Sequence, residues 1–187
     1  MSNPPLSRLL FALALGICTM FAMPGMTAQA QDESTPLTAE GEPLTINWDD
    51  LLPEGEMERI EELYRMTYSM AEIDHFGAPM TQIGTFNVEP ALIGELIRMP
   101  GFILPLDAQP GGEISEFLLV PYFGACIHTP PPPPNQIVHV VMDEAIFVER
   151  LWAPVWVEGV LTSERNMNEL GNAAYTLELT AHEPYEY

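Results

Sequence analysis

Leu96-Ile97-Arg98-Met99-Pro100-Gly101-Phe102-Ile103-Leu104-Pro105-Leu106 is the stretch on which the fold turns. It is short, apolar and β-branched in part, and it ends before a Gly/Pro-rich turn, the pattern of a buried strand. Gly101 sits in its middle, where a strongly coiled strand needs a bend. Four further runs repeat the pattern: Glu116 to Tyr122, Gln136 to Met142, Pro154 to Leu161 and Ala173 to Ala181. Gly159 interrupts the fourth as Gly101 does the first. Five short strands separated by varied loops predict a small closed β-barrel, because closure removes the exposed strand edges that aggregate. The expected class is mainly β with one or two helices: a five-stranded OB-like (oligonucleotide/oligosaccharide-binding) barrel, with a β-sandwich as the alternative.

Upstream of the strands the period changes. Met57, Ile60, Leu63, Tyr64 and Met70 recur at three-to-four spacing and predict an amphipathic helix over about 54–70. Its other face carries Glu54, Glu56, Glu58, Glu61 and Glu62, a run that reads as a solvated surface. Before it, Leu44 to Trp48 reads as a short strand or anchor, and Asp49, Asp50 and Pro53 mark a turn.

Further upstream the chain carries an address. Arg8 precedes an apolar run from Leu9 to Met23, and Ala28-Gln29-Ala30 has the small-x-small form of a signal peptidase site. Residues 1–30 read as a secretory signal peptide cleaved after Ala30, and 31–43 as a flexible acidic leader. Residues 44–187 read as a single domain. The apolar run is shorter than the ~20 residues of a spanning helix, so no membrane span is expected after cleavage. A lipoprotein reading at Cys18 fails on Ile17, where a small residue is wanted. Export places the chain in the periplasm.

The whole chain has 187 residues, 47% hydrophobic and 18% charged, with Lys+Arg 6 against Asp+Glu 27 and a formal charge of -21. Lysine is absent. Nucleic acid is an improbable partner for such a chain, since binding it requires cations against phosphates. Losing the signal peptide removes one positive charge, Arg8, and one cysteine, Cys18. Cys126 then stands alone, with no intramolecular disulfide open to it.

Cys126-x-His128 is the clearest chemical motif. Thiolate and imidazole are ligands of zinc and copper, and alternate residues of an extended segment share a face. His139 and His182 are the further metal-ligand candidates, so zinc or copper is the expected cofactor if one binds. The bland reading makes Cys126 a small core hydrophobe. Pro130, Pro131, Pro132, Pro133 and Pro134 predict a rigid left-handed segment about 15 Å long at ~3.1 Å per residue. With Asn135 and Gln136 it is either a partner-docking surface or a stiff wall, with Tyr122, Phe123, Trp152 and Trp156 packed around it. No phosphate loop, Gly-x-Ser-x-Gly, Cys-x-x-Cys or His-Glu-x-x-His is present.

Four blocks together resemble a family of exported bacterial proteins, domain of unknown function 3299. They are Ile46-Asn47-Trp48-Asp49-Asp50-Leu51, Pro100 to Leu106, Glu116 to Gln136 with its Cys-Ile-His-x-Pro run, and Pro154 to Gly159. The resemblance implies a signal-bearing periplasmic protein with no assigned reaction, associated with transport systems. The expected function is therefore a non-enzymatic binding or accessory protein, possible in two forms: a metal binder linked to a transporter, or an adaptor that meets a membrane transporter or other periplasmic protein through the proline loop. A thiol enzyme using Cys126 is the third alternative.

Overall fold

The LIRMPGFILP run sorts its side chains onto two faces of one strand. Ile97 and Met99 are fully buried, while Arg98 and Phe102 point outward. The computed structural model, which describes residues 41–70, 81–107, 112–127 and 130–186, places this run in β2 (Leu96–Pro105). The other strands are β1 (Leu44–Thr45), β3 (Glu113–Val120), β4 (Val138–Phe147), β5 (Val155–Thr162) and β6 (Tyr175–Pro184). All five runs read from the sequence are barrel strands. The leader through residue 40, the loop with His75, and His128 lie outside the described residues.

β2 pairs antiparallel with β3, β3 with β4, β6 with β5, and β5 again with β2, while β4 and β6 pair in parallel. The β2–β5 ladder, from Leu96↔Val160 to Gly101↔Val155, closes the sheet into a mixed five-stranded barrel and excludes the sandwich. Counting the barrel strands alone, the order is first, second, third, fifth, fourth, the OB-like order expected. β1 joins β2 in parallel through Leu44↔Ile97.

The two glycines act as the bends require. A Cβ on Gly159 would lie 2.2 Å from the Glu178 carbonyl oxygen, at the point where the β5–β6 register shifts. A Cβ on Gly101 would lie 2.6 Å from Leu119 Cγ. Phe117, Leu119, Val138, Val140, Val157, Tyr175 and Leu177 fill the interior. Each such side chain contributes about 1.5–3 kcal/mol on burial. Tyr175 also ties the barrel to its covering segments: its hydroxyl donates to Leu51 O at 2.6 Å and accepts from Glu89 N at 2.6 Å.

Helix α1 (Glu56–Met70) begins two residues later than the periodicity predicts and turns a different face inward. Ile60 is buried, but Met57 is 45% exposed and Glu56 only 3%. The reason is hydrogen bonding. Glu56 accepts from Thr85 Oγ1, from Asn87 Nδ2 at 2.9 Å and from Asn135 Nδ2 at 3.3 Å, and Arg59 Nε lies 3.6 Å away. A buried carboxylate so supplied is tolerated. No helix among the described residues is long and apolar enough to cross a membrane.

Candidate functional site

The proline run is packed rather than free. Pro132 and Pro134 are buried and Pro130, Pro131 and Pro133 half-buried. Lacking N–H groups, the prolines offer carbonyls, and these are used internally. Gln82 Nε2 donates to Pro132 O at 2.8 Å, and Ala174 N donates to Pro134 O at 2.8 Å. Gln82 lies in a strap over 81–88 that also passes Gly84 against Pro133, so closely that a Cβ there would sit 2.6 Å from Pro133 Cβ. Asn135 Nδ2 donates to Asn87 O at 3.1 Å, and Gln136 Nε2 to Trp48 O at 2.7 Å. The motif thus joins helix, strap and barrel.

Cys126 does not lie in an extended segment. It stands in a turn with φ 66, so the shared-face geometry expected of Cys126-x-His128 is absent at the cysteine. Its sulfur points toward Gly171 and Ile137 within an apolar cluster that includes Leu118, Ala125 and Ala173. Burial pushes the thiol up from its ordinary value to about 11. His139 lies on the outer face of β4, opposite Leu118 and Thr176. Its Nε2 meets Glu116 Oε1 at 2.6 Å and its Nδ1 meets Thr176 Oγ1 at 3.4 Å. Thr176 gives its single hydroxyl proton to Glu164 O at 2.9 Å, so toward His139 it accepts. Asn166 Nδ2 also lies 3.4 Å from His139 Nε2, so the ring is held from both of its nitrogens. His182 lies near the far end of β6, six residues beyond Thr176, or roughly 20 Å along an extended strand. His139 and His182 are thus not brought together. No group of three His, Cys, Asp or Glu side chains placed to hold a metal ion occurs among the described residues.

What the fold does gather is aromatic and apolar surface. At Gly101 β2 changes partner, from β5 to β3, and the two neighbours part there. The gap is a groove of about 210 Å³ lined by Trp48, Phe102, Pro121, Pro154 and Tyr185. Pro154 and Tyr185 also line a second groove of about 340 Å³, formed by the 147–155 segment against the end of β6. Around them stand large exposed side chains. Phe123 (62%) leans on Phe102 with ring centroids 6.2 Å apart, Tyr122 and Ile127 lie on the same loop, and Phe147, Leu151 and Trp152 (63%) are exposed along the 147–155 segment. Phe123 and Trp152 therefore do not pack around the proline run as expected; they face outward.

The model of a family of proteins of unknown function, DUF3299, matches residues 48–184. The chain belongs to this family. It is also similar to a crystal structure of a DUF3299 family protein from Pseudomonas aeruginosa PAO1, at 34% identity and a TM-score of 0.61, over 79% of this chain and 99% of that one. No curated protein matches it. The DUF3299 match begins at Trp48 and ends at residue 184, so it takes in the barrel and every groove residue but Tyr185. Trp48, Phe102 and Tyr185 carry no sequence signal as a set, since they are separated by more than fifty residues at each step. The exposed partners Tyr122, Phe123 and Trp152 do stand out as aromatics flanking prolines.

Proposed function

We propose that this DUF3299 protein is a non-enzymatic binding and accessory protein, exported to the periplasm by its signal peptide, which docks a partner protein on the two grooves that share Pro154 and Tyr185. The observation that carries this reading is the exposure of Phe123, which leans on the Phe102 wall of one groove, and of Trp152, on the segment that lines the other, about two grooves that share Pro154 and Tyr185. Large aromatics exposed beside prolines and rimmed by polar residues are what interaction surfaces present. A membrane transporter or another periplasmic protein is the partner class that the family resemblance implies. The zinc or copper reading has less support, because Cys126 stands in a turn with its sulfur turned into an apolar cluster, where burial pushes the thiol up. The thiol-enzyme reading loses support for the same reason.

Co-purification from the periplasm tests this. A Phe123→Ser/Trp152→Ser variant loses its partner while keeping its fold, and Cys126→Ser keeps both, with or without added zinc. Loss of the partner in Cys126→Ser and retention in the aromatic variant would transfer the function to the cysteine loop.

A further inference from the structure

β4 and β6 run side by side for four pairs, Val138↔Tyr175 to Val141↔Glu178, and the ladder then ends. β4 continues to Phe147 and β6 to Pro184. Their outer lengths face each other across a cleft of about 290 Å³ bordered by Asp143, Glu144, Ile146, Leu179 and His182. His182 borders the adjoining 340 Å³ groove as well. On the β4 side the register with β3 jumps from Glu116↔Val141 to Ile114↔Ile146, so residues 142–145 bulge opposite Ser115.

The β6 side is more regular. Tyr185 N donates to Pro154 O at 3.0 Å. In an antiparallel ladder hydrogen-bonded and open pairs alternate. Trp156↔Glu183 is then the next bonded pair, and Val157↔His182 is an open pair whose main-chain groups point away from each other. The N–H and C=O of His182 therefore face the cleft, past the end of the β4–β6 ladder. Pro184, the next residue facing that way, has no N–H to leave unpaired, as befits a strand edge.

We infer that this cleft takes up an extended, basic segment of a partner protein, which adds a strand to the β6 edge at His182. This rests on the interaction reading above and names the partner's chemistry. Main-chain pairing would supply affinity, and alternate apolar side chains would meet Ile146 and Leu179. Charge selects the occupant. Asp143, Glu144, Glu149 and Glu186 line the cleft and its neighbour, with Arg150 beside Glu149. Every arginine among the described residues is already engaged, four with carboxylates and Arg165 over the Phe86 ring. Four carboxylates against Arg150 leave the field at the cleft negative. It repels a second copy of this chain, at -21, and the chain's own acidic leader, and it attracts lysine and arginine. The bulge and acids of β4 guard that edge against self-pairing, whereas β6 carries no acid from Leu179 to His182.

The test is a titration of the whole protein, as the cell matures it, with a synthetic peptide of alternating valine and lysine and with its valine–glutamate counterpart, followed by backbone NMR. The basic peptide binds and shifts the His182 amide, and the acidic one does not bind. His182→Ala keeps the affinity within about twofold, since the main chain remains. His182→Pro weakens it about tenfold or more with an unchanged circular dichroism spectrum, the cost of a lost edge hydrogen bond and a misfitted strand. Asp143→Lys/Glu144→Lys, on the exposed bulge, transfers preference to the acidic peptide. The inference is overturned if neither peptide binds, if both bind alike, or if His182→Pro binds as wild type. Should His182→Pro fail to fold, the charge-reversed variant and the His182 amide shift decide. If the peptides fail while Phe123→Ser/Trp152→Ser still loses the partner, the groove reading stands and strand addition alone falls.

Discussion

Cys126 combines two features that pull in one direction. Its backbone is left-handed, which is uncommon outside glycine, and its sulfur is turned into an apolar cluster. The second feature raises the thiol to about 11 from a usual 9.0. At pH 8 the thiolate fraction is then about a hundredfold below that of a free cysteine. Alkylation of the native protein is accordingly slow at pH 8 and climbs only as the pH approaches 11, while the unfolded chain reacts at the ordinary rate. Fast labelling of the folded protein at pH 8 would contradict this and revive the thiolate roles. The reading of Cys126 as a small core hydrophobe foresaw the burial but not the turn: a same-face argument for Cys126 and His128 presumes an extended chain, and the turn over 123–127 packs against the distant Ile137 and Gly171. Glu56 is a similar case: its burial depends on Thr85, Asn87 and Asn135, three donors far along the chain.

The strands were legible because a barrel interior imposes a period of two on every segment. Their ends were less so. β4 runs on through Asp143 and Glu144 and β6 through His182 and Glu183, all exposed, and exposed strand carries no apolar signal. Gly159 was legible as a bend, and the structure supplies its reason, since a Cβ there meets the backbone of β6 at 2.2 Å. Gly159→Ala must therefore push β5 from β6 where the register shifts. We expect a fall of about 1–3 kcal/mol in unfolding free energy, read as a lower urea midpoint at unchanged slope. An unchanged midpoint would mean that the two strands are not held where their ladder places them.

The barrel and its order follow from local patterns, but the groove does not. Trp48, Phe102, Pro121, Pro154 and Tyr185 come from five separate segments, and only closure of the sheet through the β2–β5 ladder brings them to one place. The proline run, prominent in the sequence, belongs to the framework instead: it is clamped by Gln82, Asn135 and Gln136 and leaves the aromatic rims as the outward surface. That division of labour, a stiff interior wall and an apolar groove on an acidic barrel, is what the interaction reading needs. It is tested most directly by placing a photo-crosslinking side chain in the living cell at Phe123, at Trp152 and, as a control, at the exposed Arg65 of α1. The reading predicts one discrete adduct shared by the first two positions and absent at the third. No adduct at either rim, or equal adducts at all three, would contradict it.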